Sequence, residues 1–294
     1  MQALEELRTE LQINTELTEI VDALKLVAVS EYRDREHKRK QRSSLFLDAF
    51  EGFFQMVDLS SIEHPFAHDT TGKLTLVILS SDERFMGGLN KRIVDTALEY
   101  PGAHKATRIV VGTQGCEYLD SLSEDYIDFT TVTSKTPYRA AVQTRDRLLS
   151  REPEHEPGRV VVIYPKCLSF MVQVVEALPL LPCTELLFLE RKQAEKAETQ
   201  QKLLTPGEDV ILDSSPDRLV EYLARTWITE KLVEVFEEAR LAELSAKAVR
   251  LEESHQTLED GRQKLTHEYH RTHHEVVDKG MRETFSAQII ERAN

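Results

Sequence analysis

The stretch ITEKLVEVFEEARLAELSAKAV, residues 228–249, decides how this chain folds. Its Ile228, Leu232, Val235, Ala239, Ala242, Ala246 and Val249 follow one another at alternating steps of four and three. That spacing keeps them on one face of a helix, and a face repeating every 3.5 residues supercoils against a second helix. Leu244, Leu251, Leu258 and Leu265 add a series spaced by seven. Alanines on the seam imply a close, slender pairing. Pro216 suits a first helical turn, with Ser214 and Ser215 as capping candidates before it. From there to Asn294 only Gly261 and Gly280 interrupt the pattern.

The partner helix lies at the other end of the chain. Residues 1–57 hold no proline and a single glycine, Gly52. Leu17, Ile20, Leu24 and Val27 form a helical stripe that Val21 and Ala28 widen and that Leu4, Leu7 and Leu11 begin. Residues 31–42 are almost wholly charged and read as a solvated helix face. The stripe then resumes at Phe46, Ala49, Phe53 and Val57. A helix of that length spans about 85 Å at about 1.5 Å per residue, more than a small compact domain requires. A plain helical bundle is the alternative, but two such helices at opposite ends favour an intramolecular antiparallel coiled coil. If they meet at a compact domain, partner numbers sum to about 273, with an error of about one turn. Leu24 then faces Val249 and Leu17 faces Gln256, while residues 276–290 overhang as an apolar tip.

Between the helices the period changes. Residues 74–79 (LTLVIL), 108–112 (RIVVG), 160–164 (VVVIY) and 185–189 (ELLFL) are continuous apolar runs, as strands covered on both faces should be. Helical stretches near residues 89–100, 114–122 and 138–151 separate them, and residues 194–203 read as an exposed segment. Alternating strands and helices predict a small α/β sheet with mostly parallel strands. The predicted layout is a helix at 1–57, an α/β domain at 72–192, a linker at 193–215 and a second helix at 216–294.

Totals narrow the function. A formal net charge of −14 argues against nucleic acid or an anionic lipid surface as the main partner. Cys116, Cys167 and Cys183 lack metal-ligand spacing and read as free thiols. No apolar run is long enough to cross a bilayer, and residues 1–10 are acidic and amphipathic, unlike a signal peptide.

The loop SSDERFMGGLN, residues 80–90, follows the first strand and opens a helix, a position where backbone N–H groups attract anions. It has neither the GxxxxGK[ST] nor the GxGxxG arrangement, so a tight strand-to-helix turn at Gly87 and Gly88, packed against the long helices, is the simpler use. His255, His267, His270, His273 and His274 crowd the last helix. His267, His270 and His274 share a face, but no acidic or cysteine ligand is forced beside them, so they read as exposed or interface histidines. Cys116 has no adjacent base. The sequence offers no active site, cofactor site or metal site of its own.

Three blocks carry a family resemblance. Ile20, Ala23, Lys25, Val27, Ala28, Ser30 and Arg33 fit a first-helix signature; Ser81, Asp82, Gly87, Gly88, Leu89 and Asn90 fit an SDRGLCGGLN loop. Tyr164, Lys166, Gln173, Leu180, Leu181 and Pro182 fit a strand ending in YNKF, followed by Q and LLP. In order and spacing the chain resembles the gamma subunit of F-type ATP synthases. The resemblance implies an α/β fold in which a long antiparallel coiled coil carries an inserted Rossmann-like domain. It implies a rotor shaft inside a hexameric ring of alpha and beta subunits, with an epsilon subunit and a membrane c-ring at its foot, on the cytoplasmic side of a bacterial inner membrane. Coiled-coil and ring-interface candidates are then Ile20, Ala23, Lys25, Leu26, Val27, Lys247, His273, His274 and Asp278; the Ser81–Asn90 loop is structural. Glu5, Glu6, Glu10 and Glu16 stand where the family is usually basic, and Glu31 replaces a usual lysine. His270, His273, His274, Asp278 and Gly280 depart from the family's pattern at the tip. A static gamma-like scaffold is the runner-up, and a nucleotide-dependent enzyme using the Gly87–Gly88 loop is the third class.

Overall fold

The computed structural model describes residues 2–54, 72–129, 136–149, 158–183 and 216–293. The expected strand at 185–189, the segment at 194–203, Ser214, Ser215 and Val57 lie outside them. Helix α1 runs Gln2–Phe54. Strand β1 (Leu74–Leu79), helix α2 (Leu89–Glu99), strand β2 (Thr107–Val111), helix α3 (Thr113–Leu122), strand β3 (Ile127–Asp128) and helix α4 (Pro137–Leu148) follow. Strands β4 (Arg159–Ser169) and β5 (Val172–Leu181) precede the 78-residue helix α5, Pro216–Ala293. The chain divides into two compact units, Met1–Ser30 with Lys247–Asn294, and Glu31–Ala246.

In the larger unit the five strands lie in the order β3-β2-β1-β4-β5. The first four are parallel and β5 pairs antiparallel with β4. Alternation along each strand supplies two faces. Leu76, Ile78, Val110, Val161 and Ile163 meet Leu89, Ile93 and Val94 of α2 and Leu119 of α3. Val77, Leu79, Ile109, Val160 and Val162 meet α4 and the stretch Leu223–Ala239 of α5. Parallel strands need both faces covered, and α5 supplies much of the second cover.

This changes the reading of residues 228–249. Ile228, Leu232, Val235 and Ala239 are buried as expected, but within the core of the sheet domain rather than in a two-helix seam alone. Trp227 and Val233 join them, so α5 is buried over more than one stripe. The charged run at 31–42 is also not wholly solvated. Tyr32 packs edge-on against Phe170 at 5.0 Å, and Arg39 pairs with Glu238 of α5. The sequence pattern does not announce strand β5, because VQVVEALPLL carries Pro179 and Glu176 among its apolar residues.

The smaller unit holds the antiparallel helix pair. Lys25 reaches Glu252 at 3.0 Å, His255 lies 3.4 Å from Asp22, and Asn14 faces Gly261. Those partners sum to 277, 277 and 275, within about one turn of the expected 273. The face that pairs is a different one. Leu17, Ile20, Leu24 and Val27 are exposed, Ile20 at 55%. The inward face is Leu4, Leu7, Leu11, Asn14, Thr18, Val21, Lys25 and Ala28, a 3-4 repeat whose most buried member is Ala28 at 2%. On α5 the inward residues include Ala248, Leu251, His255, Leu258 and Leu265. Asn14 at the seam has an unpartnered buried Oδ1, and a polar residue at such a position selects register at a cost in stability.

Small residues at the seam let the two backbones approach. With the native cysteines replaced by serine, Ala28→Cys and Ala248→Cys should oxidise efficiently to one intramolecular disulfide. Leu24→Cys with Val249→Cys should oxidise slowly, because Leu24 points outward. Non-reducing electrophoresis separates the two outcomes. Cysteine Cα atoms must lie within about 7 Å to bridge.

Candidate functional site

In the larger unit, β1 ends at Leu79 and is followed by Ser80, whose side chain is fully engaged. Its Oγ donates toward the Val111 and Gly112 carbonyls at 2.9 and 3.0 Å and accepts the Gly115 N–H at 3.0 Å. The neighbouring turn is built tightly around it. A Cβ on Gly112 would lie 2.1 Å from the Ser80 carbonyl oxygen, and one on Gly115 would lie 2.3 Å from Ser80 Oγ. Gly112 also holds a left-handed φ of 102°.

The rest of the loop continues the clasp. Asp82 Oδ1 accepts the Thr113 N–H at 2.8 Å, and the Ser81 carbonyl accepts the Gln114 N–H at 3.0 Å. Asn90 Oδ1 accepts the Ser81 N–H, and Ser81 Oγ accepts the Glu83 N–H, both at 3.0 Å. The first three N–H groups of α3 are therefore spent on Asp82, Ser81 and Ser80, not offered to a phosphate. Of the loop residues named from sequence, Ser81, Asp82 and Asn90 form this network, and Leu89 is buried at the start of α2. Gly87 is needed for its φ of 59°. Gly88 has open space around it, so close packing is not what either Gly87 or Gly88 provides; Gly112 and Gly115 carry that role.

Beside this loop a cleft of about 520 Å³ opens at the carboxyl ends of β1 and β2. Arg240 of α5 crosses it. Its Nη1 lies 2.9 Å from Glu83 and 3.0 Å from Glu243, and its Nη2 lies 3.6 Å from Glu31 of α1. Burial pushes the Glu243 carboxyl up to about 7; Arg240 holds it down in part, while Glu83 and Asp82 add to the rise. Sequence reasoning did not assemble this group, because its members lie on three segments far apart in the chain.

In the smaller unit, Ile20, Leu26 and Val27 are exposed apolar residues, and Ala23 is exposed beside them. Ile20 and Val27 continue an outward stripe on α1 with Ile13, Leu17 and Leu24, while Leu26 is exposed on another side of the helix. Lys25 is half-buried and bridges Asp22 and Glu252, each at 3.0 Å. The Asp22 carboxyl is held below its usual range, first by the hydrogen bond from Lys25. Lys247 is half-buried, and His273, His274 and Asp278 are exposed. Tyr269 stacks on His273 at 6.2 Å between ring centres. Among the described residues no group of three or more histidine, cysteine or acidic side chains could hold a metal ion. Val277, Met281 and Phe285 project from the end of α5, as the overhang required.

A family model described as ATP synthase matches residues 3–287. The chain belongs to that family. The relatives it resembles carry the name ATP synthase gamma chain. That of Ruminococcus albus is 22% identical over 282 residues and covers 92% of each chain. That of Bdellovibrio bacteriovorus is 21% identical over 285 residues, covering 94% of this chain and 95% of the relative. That of Clostridium acetobutylicum reaches 26% over 206 residues, 68% of this chain and 70% of the relative. The fold is also that of the Euglena gracilis mitochondrial ATP synthase rotor chain. The TM-score is 0.64 at 17% identity, with 94% of this chain and 99% of that chain covered. This chain is thus a divergent member of the gamma family.

The clasp makes two glycines unequal. Gly112→Ala should cost at least about 2 kcal/mol, since both the clash with Ser80 and the left-handed backbone oppose it. Gly88→Ala should change stability by no more than about 0.5 kcal/mol. Thermal unfolding of the two variants measures the difference.

Proposed function

We propose that this chain is the central shaft of a rotary ATP synthase, coupling ion flow through a membrane sector to nucleotide chemistry in a ring of alpha and beta subunits. The observation that carries this reading is the gamma-family match over residues 3–287. The antiparallel pairing of the two terminal helices supports it, because a shaft transmits torque through stiffness. Its asymmetric faces bias successive ring subunits toward different nucleotide states, a population shift driven by differential contacts.

On this reading the chain does no chemistry itself. The first N–H groups of α3, which border the loop 80–90, are used internally by Ser80, Ser81 and Asp82. ATP synthesis or hydrolysis belongs to the assembled complex, in which the chain sits as a peripheral part on the cytoplasmic side of a bacterial inner membrane. Among the described residues no helix is long and apolar enough to cross a membrane. An epsilon subunit and the c-ring would hold its foot.

The ring contacts fall to the outward α1 stripe and the end of α5. Ile20, Ala23, Leu26 and Val27, with Leu17 and Leu24 beside them, would lie against the alpha and beta subunits, as would His273, His274 and Asp278. Lys25 and Lys247 would instead serve the helix pairing. Co-expression with alpha and beta subunits of the same host tests the reading. A soluble complex containing this chain, with ATPase activity absent from the chain alone, is expected. Failure of the chain to enter any such complex would overturn it.

Two outward substitutions sharpen the test. Leu17→Asp with Leu24→Asp should leave the helix content and melting temperature nearly unchanged. The same pair should weaken assembly about tenfold, equivalent to about 1.4 kcal/mol. Sedimentation of the reconstituted mixture measures it. For the isolated chain, calorimetry should give ATP binding no tighter than about millimolar, the weak end of specific binding.

A further inference from the structure

The cleft at the carboxyl ends of β1 and β2 holds two cations, Arg35 and Arg240, against four carboxylates, Glu31, Asp82, Glu83 and Glu243. The carboxylates come from three elements. Glu31 stands on α1, Asp82 and Glu83 on the β1–α2 loop, and Glu243 on α5, while α4 contributes uncharged Pro137 and Ala140. Arg240 contacts three of the four. It therefore ties α1 and the loop to α5. Its bond to Glu243 is different in kind, because the two lie one turn apart on the same helix and joining them holds no elements together.

Glu243 is also the carboxylate least able to reach water, its side chain being 14% exposed. A fourth negative charge in a partly buried cleft repels Asp82 and Glu83, and it is Glu243, shielded from water, that bears the cost of ionising there. The group that escapes by taking a proton is the one most desolvated. Once neutral, it releases the Arg240 charge to Glu31 and Glu83, the partners on other elements.

We propose that Arg240 and Glu243 form a proton-controlled clasp, gripping α1 and the β1–α2 loop when Glu243 is protonated and slackening when it is ionised. The sign follows from linkage. The folded carboxyl binds its proton more tightly than an open or unfolded one, so protonation of Glu243 favours the closed cleft, and that contribution is lost as pH rises through about 7. If opening the cleft returns Glu243 to an ordinary carboxylate, the opening equilibrium rises about tenfold between pH 6 and pH 8. The clasp does not depend on the rotary reading, since it is a property of the folded chain. In a shaft it would make the hold of the domain on α1 responsive to the pH of its compartment.

Hydrogen exchange of the isolated full chain tests it. The amides to follow are Ser81, Glu83 and Thr113, which donate to Asn90, Ser81 and Asp82. After correction for intrinsic exchange, their opening should increase about tenfold from pH 6 to pH 8 in the native chain. Glu243→Gln, which keeps the neutral form, should hold the pH 6 protection at both. A native chain with flat protection overturns the proposal, and so does a variant with the same pH dependence. Carboxyl NMR of the native chain gives a second reading that needs no folded variant. A Glu243 midpoint near 7 supports the clasp, and one in the ordinary carboxylate range overturns it.

Discussion

The constraint on which the larger unit depends is that a parallel sheet must be covered on both faces. The helices between its strands do not suffice. α2 and α3 cover the face of Leu76, Ile78 and Ile163, leaving α4 to share the other with something else. That other element is α5, through Leu223, Trp227, Ile228, Leu232 and Val235. The sheet domain therefore cannot be complete without the long helix. A helix so committed on one part of its length cannot slide or rotate against the domain without exposing these side chains. Each fully buried apolar side chain is worth about 1.5–3 kcal/mol, so the attachment is firm. For a shaft, this is the property required where force passes between the helix and its domain.

Much of this was legible in sequence, for reasons that differ between elements. Both long helices declared themselves through the absence of proline and the 3.5-residue period, and the first strand, residues 74–79, through its unbroken apolar run. Register was also legible to within a turn, because two helices with equal rise leave one free parameter. The inward face of α1 was not. Counting hydrophobic residues selects Leu17, Ile20, Leu24 and Val27, the bulkier stripe. The face that pairs holds Asn14, Thr18, Lys25 and Ala28, which hydrophobicity undervalues but close approach requires. A bulky apolar stripe left outside is what a helix shows when a further surface is to cover it.

The same limit applies to the loop SSDERFMGGLN, where the sequence pattern singles out Gly87 and Gly88, which sit in open space. The glycines under steric demand are Gly112 and Gly115, 32 and 35 residues from Ser80 in sequence and brought beside it by β1–β2 pairing. Arg240, Glu243, Glu83 and Glu31 were invisible as a group for the same reason. One clue was present: Glu31 stands where the gamma family usually has lysine, a charge reversal that makes sense beside Arg240.

The central claim is that the chain turns within a ring of nucleotide-binding subunits. The most direct measurement fixes the ring to a surface, attaches a bead to a cysteine placed on an exposed position of the α/β domain, and watches the bead under ATP. A shaft turns continuously in one direction, at a rate that rises with ATP concentration and stops when ATP is removed. A bead that stays fixed while the same complex hydrolyses ATP would contradict the claim and leave the chain a static scaffold.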